Sequence, residues 1–88
     1  MNKGPKFHIH ISYDESSDTT HVAGISHELD FFKMIRLVQT ELKCKCWFKK
    51  YQRSTTTTVY TSGDQRTQLK FFFQHYGISD PRYVTIGT

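Results

Sequence analysis

Residues 7–13, Phe-His-Ile-His-Ile-Ser-Tyr, alternate apolar and polar. That period places Phe7, Ile9, Ile11 and Tyr13 on one face of a strand and His8, His10 and Ser12 on the other. The polar run Asp14-Glu15-Ser16-Ser17-Asp18 reads as a turn and the β-branched stretch 19–23 as a returning strand, so the chain opens with a hairpin whose tip is acidic. After Gly24-Ile25, Ser26 is the expected N-cap of a helix, with Glu28 and Asp30 in its first turn, where the helix dipole favours carboxylates. Phe31, Met34, Ile35, Val38 and Leu42 follow at three- and four-residue spacing. They make one apolar stripe along a helix of about four turns, with Lys33, Arg36, Thr40 and Lys43 largely away from it.

The pattern returns to strands over 46–50 and 55–61, joined by a turn at 51–54. The second of these strands is almost purely β-branched and poor in apolar residues, so it is expected at a sheet edge or facing solvent. Gly63-Asp64-Gln65-Arg66 opens a second helix, with Asp64 placed to cap backbone N–H groups and Leu69, Phe72, Phe73 and Tyr76 as its buried stripe. Gly77 stops it, a turn follows at 79–81, and 83–86 is a last strand. The order ββαββαβ predicts an α+β fold in which one mixed five-stranded sheet has two helices packed on one face. A short N-terminal tail, 1–6, precedes a single domain over 7–88.

A chain of 88 residues has room for one core, and its 15% of aromatic residues supply bulk that so short a chain would otherwise lack. The basic N-terminus leads into alternation and not into an apolar run, so no secretory signal is expected, and no stretch is apolar for long enough to span a membrane. Cys44 and Cys46 lie too close in sequence to staple a fold and fit a reducing compartment, which points to the cytoplasm. Charge is unevenly spread. Residues 1–30 hold two lysines against five carboxylates, whereas 43–70 hold seven cations against Asp64 alone. A cationic segment of this kind suits a polyanion, through release of condensed counterions, or is a solvated basic face.

The candidate chemistry is sparse. Asp30, Glu41, His27 and His75 are scattered, with no neighbouring nucleophile and no Gly-rich phosphate loop, so neither an enzyme, a cofactor nor a small-molecule substrate is expected. His8 and His10 with Cys44 and Cys46 make four metal ligands on paper, but Cys-x-Cys is tighter than the usual zinc spacing and no metal is expected. Trp47, with Phe48 and Tyr51 among basic neighbours, offers a base-stacking platform, unless alternation turns one of the pair into the core. Arg66 lies in a first helical turn, where a cation is disfavoured, so it needs Asp64, a carbonyl or a phosphate as partner.

Gly63-Asp64-Gln65-Arg66 with the following Phe72 and Gly77 resembles the eukaryotic translation initiation factor 1 family. Ile9 and Ile11 with Val22 to Ile25 look like that family's first hairpin, and Asp30 to Cys44 like its first helix, so the likeness covers roughly residues 7–88. It implies the same ββαββαβ fold and a factor that binds the small ribosomal subunit and its rRNA near the P site, beside other initiation factors, to influence start-codon selection. Lys33, Arg36, Lys49, Lys50, Arg53, Arg66 and Lys70 are the residues placed to contact rRNA, and Gly63, Asp64, Gln65 and Arg66 form the family turn and helix cap. Two positions depart from the pattern. The first hairpin tip is acidic where family members carry a basic, Gly-containing one, and Gln39-Thr40-Glu41 stands where consecutive lysines are usual. An alternative follows, a protein-interaction module that kept the fold and docks a partner through the acidic hairpin. The low-alanine composition, rich in Lys, Phe and Thr, fits an AT-rich genome such as that of a large DNA virus.

Overall fold

The protein is seen here as a computed structural model that describes residues 8–27, 29–50, 52–78, 82 and 84–87. Its elements follow the predicted order: β1 (Ile9–Asp14), β2 (Thr19–Ser26), α1 (Phe31–Leu42), β3 (Cys46–Lys50), β4 (Thr56–Ser62), α2 (Arg66–His75) and β5 (Val84–Ile86). The strands form one sheet in the order β3-β4-β2-β1-β5. Only β5 runs parallel to its neighbour β1, so the sheet is mixed.

Alternation decides which side is covered. Ile11 pairs with Val22, Val22 with Val59 and Val59 with Phe48, an apolar row that crosses four strands on one face. Phe31, Met34 and Val38 of α1 and Leu69, Phe72 and Phe73 of α2 join Ile9, Ile11, Val22, Ile25 and Val59 in a single core. Helix α1 packs over β3 and α2 over β1, so both helices lie on that face. Each such side chain, taken from water to burial, contributes about 1.5–3 kcal/mol.

Three expectations are corrected. Ser26 is not a helix cap but the last residue of β2, and Asp30 caps α1 by accepting the Lys33 N–H at 3.2 Å. A bulge between Val22 and Ile25 lets β2 bend and go on pairing with β4 as far as Thr56, which delays the helix. Gly24, at φ 93°, makes the bend possible, since a Cβ there would lie 2.2 Å from the His8 carbonyl oxygen. The Thr-rich strand is not at an edge: β4 lies between β3 and β2, with Thr57 and Thr61 buried beside Val59. A threonine methyl fills a central sheet position much as valine does, a point that low hydropathy conceals. Tyr76 is exposed and not in the buried stripe, because α2 ends at His75; its hydroxyl donates to the Glu41 carboxylate.

Gly77 stops α2 as expected. At φ 65° it donates to the Gln74 carbonyl at 3.2 Å while the Ile78 N–H donates to Phe73 at 3.0 Å. The predicted tail 1–6, Phe7, Glu28, Tyr51, the turn at 79–81 and Tyr83 lie outside the described residues. Among the described residues no helix is long and apolar enough to cross a membrane.

Candidate nucleic-acid interface

The Gly63-Asp64-Gln65-Arg66 segment fastens the start of α2 to the first hairpin. Gly63, at φ 77°, turns the chain and its N–H donates to the Asp18 carbonyl at 2.8 Å. The buried Thr20 hydroxyl donates to the Gly63 carbonyl at 2.6 Å and accepts the Gln65 N–H at 2.9 Å. Asp64 accepts the Arg66 backbone N–H at 3.3 Å, and its two carboxylate oxygens meet Nε and Nη2 of Arg66 at 2.9 and 2.7 Å. Arg66 also donates from Nη1 to the Gly87 carbonyl at 3.2 Å and stands 5.4 Å above the Tyr13 ring. The hydrogen bonds from Arg66 hold the Asp64 carboxyl below its ordinary value, and the same contact raises the guanidinium. Tyr13 donates to Asp18 at 2.5 Å, which is the main reason its phenol is pushed up to about 12.

The internal partners named for Arg66, Asp64 and a carbonyl, are therefore both in place. Sequence reasoning missed Thr20, Tyr13 and Asp18 in this lock. Thr20 lies more than forty residues from Gly63, and the one sequence signal was its phase in the alternation of β2.

Antiparallel register sorts the cations. Thr19 of β2 pairs with Ser62, and Ser26 with Thr56, so the acidic turn 15–18 and the turn 51–55 lie at opposite ends of the sheet. Lys49, Lys50 and Arg53 occupy one end. Helix α1 starts there too, with Phe31 stacked on Phe48 at 5.2 Å between ring centres and Lys50 Nζ 5.4 Å above the Phe31 ring. Lys33 and Arg36, both exposed, follow in the first turns of α1 and line an open groove with Asp30, Phe32, Leu37 and Thr40. Five of the seven predicted cations thus gather at one end, while Arg66 and Lys70 lie on α2 at the other. Lys49 and Lys50 face opposite sides of β3: Lys49 Nζ stands 5.7 Å above Tyr60 on the face away from the helices.

At the other end the acidic tip is folded on itself. Asp14 accepts from the Ser16 N–H, the Ser16 hydroxyl and the Ser17 hydroxyl at 3.1, 2.7 and 3.0 Å, bonds led by Ser16 that lower its carboxyl.

The four paper metal ligands are not brought together. Cys46 faces the core in edge strand β3, while His10 points from the opposite face of β1, two strands away in the sheet order. Burial, with a smaller contribution from Cys44, pushes the Cys46 thiol up to about 12. Among the described residues no group of three or more His, Cys, Asp or Glu side chains converges. Alternation does split the aromatic pair: Phe48 packs under α1 and Trp47 lies on the uncovered face.

No family model and no curated protein matches the chain. Among solved structures, the C-terminal domain of human eIF2D matches with a TM-score of 0.67 at 13% identity, over 92% of this chain. The chain spans 43% of that structure's length. This likeness of backbone at so low an identity establishes a shared ββαββαβ fold.

Proposed function

We propose that this chain is an initiation-factor-like domain that binds the small ribosomal subunit through rRNA and influences start-codon selection. The observation behind it is the gathering of Lys33, Arg36, Lys49, Lys50 and Arg53 at one end of the sheet, away from the acidic tip. Such a patch neutralises phosphates and releases counterions, so the contact is charge-driven and involves no chemistry. The fold likeness to a domain of human eIF2D, an initiation factor by name, supports the choice of the ribosome as the polyanion. Arg66 and Lys70 make secondary contacts at most on this reading, since the Arg66 guanidinium is held by Asp64.

Co-sedimentation with small ribosomal subunits across a salt series tests it. Binding should weaken steeply with salt, and Lys49→Glu with Lys50→Glu should reduce the slope of log K against log salt by about 1.5–2. Asp14→Ala with Glu15→Ala should leave binding unchanged. Absence of co-sedimentation at low salt would sink the proposal. The second reading, a protein-docking module, gains from the acidic tip, which is rigidly held and projects exposed Glu15. It predicts the reverse mutational pattern.

A further inference from the structure

Both helices pack on one face of the sheet, and among the described residues nothing covers the other. That face has an ordered composition. Trp47 of β3 pairs in register with Tyr60 of β4, Tyr60 with His21 of β2, and His21 with Ser12 of β1. Three rings therefore cross three neighbouring strands in one row. Trp47 and Tyr60 are 5.9 Å apart between ring centres and nearly parallel, at 13°. His21 meets Tyr60 edge-on at 4.9 Å and is steadied by Thr19 Oγ1, 3.0 Å from its Nε2. Trp47 is 38% exposed.

The surroundings of the row are cationic and hydroxylic. Lys49 stands over the Tyr60 ring, Thr58 lies beside it in register, and His10 bonds Thr85 at 2.9 Å farther along the face. The carboxylate in this phase of the strands is Asp14, which is turned into the hairpin tip by Ser16 and Ser17. An apolar partner would bury these hydroxyls and Lys49 without return. Flat rings flanked by a cation suit unpaired bases, whose faces stack on aromatics while the backbone phosphates meet positive charge.

We propose that this open sheet face is a stacking platform for single-stranded RNA, with the Trp47, Tyr60 and His21 row receiving bases and Lys49 a phosphate. The choice of RNA rests on the function proposed above; the platform itself is a separate surface from the helix side of the cationic end.

Trp47 is the single tryptophan, so its fluorescence reports on this face alone. Titration of the full chain with a decauridylate should quench Trp47 emission in a saturable, salt-sensitive manner. Tyr60→Ala should raise the dissociation constant about tenfold or more, the loss of one stacked base. Thr58→Glu, which removes no ring and sets a carboxylate beside Lys49, should weaken binding as well, and keeps the test decisive if Tyr60→Ala fails to fold. No quenching at low salt, equal quenching by duplex RNA of the same length, or unchanged affinity in Thr58→Glu would overturn the platform. A chain that sediments with subunits yet is not quenched sinks the platform alone. Quenching without co-sedimentation upholds it and sinks the ribosomal reading.

Discussion

Three buried threonines of the sheet should respond to the same substitution with opposite signs. Thr20, Thr57 and Thr61 are each at most 1% exposed, and Thr→Val exchanges a hydroxyl for a methyl at nearly constant shape. The Thr20 hydroxyl satisfies two backbone groups at once, the Gly63 carbonyl and the Gln65 N–H. The hydroxyls of Thr57 and Thr61 have no hydrogen-bond partner among the described residues. Valine at 20 strands both backbone groups, at a cost of about 2–4 kcal/mol, given 1–3 kcal/mol for each buried group left unpaired. Valine at 57 or 61 removes a buried hydroxyl that returns nothing, a gain of about 1 kcal/mol each.

These are large shares of the total, since a domain of this size is stable by about 4–13 kcal/mol. Urea unfolding followed by far-ultraviolet circular dichroism measures them. With a slope of about 1 kcal/mol/M, the midpoint should fall by about 2 M or more for Thr20→Val and rise by about 1 M for Thr57→Val and for Thr61→Val. A common direction for all three would refute the reasoning, because it would mean that threonine methyl packing and not hydroxyl pairing sets the energy.

Two further outcomes follow from the same geometry. Asp64 titrates below its ordinary 3.8 in the folded chain, so its contribution is complete above that pH and fades as pH falls through the lowered folded value. Asp64→Asn should therefore flatten the acid limb of the urea midpoint between pH 4 and pH 2, and an unchanged limb would count against the lock. Gly24→Ala places a Cβ 2.2 Å from the His8 carbonyl oxygen at a left-handed φ, and should cost about 2 kcal/mol or more in the same unfolding assay.

Local periodicity carried the element order, because each strand and helix buries one face and the period of that face is written in the chain. It failed where tertiary context outweighed composition. The Thr-rich strand read as peripheral because hydropathy scores the hydroxyl, whereas β4 is central and buries the methyls. Ser26 read as a cap because a strand's continuation through a bulge leaves no periodic trace. At the candidate interface the cations were visible as a charge run, but their division between two ends was not. That division is a matter of register, which pairs Ser26 with Thr56 and Thr19 with Ser62 across long stretches of chain. The aromatic row was half legible: Trp47 stood out, while Tyr60 and His21 became its neighbours only through cross-strand pairing.

The acidic first hairpin need not oppose binding to RNA, and distance is the reason. The molecule extends 41 Å along its longest axis, with the acidic tip and the cationic turn at opposite ends of the sheet. Screening at physiological salt acts over about 8 Å, so phosphates at one end are insensitive to carboxylates at the other. The carboxylates are further quietened by local bonds, Asp14 to Ser16 and Ser17 and Asp18 to Tyr13. Charge at this separation still orients approach, because a long dipole turns its positive end towards a polyanion before contact. On the proposed function, the chain meets RNA with the turn between β3 and β4 leading and the first hairpin trailing. That is the reverse of what the family resemblance alone implies, where the first hairpin tip approaches the decoding site. The Gly63 to Arg66 lock then has a structural task only: it keeps the trailing hairpin and α2 as one rigid unit, and leaves recognition to the other end and to the open face between them.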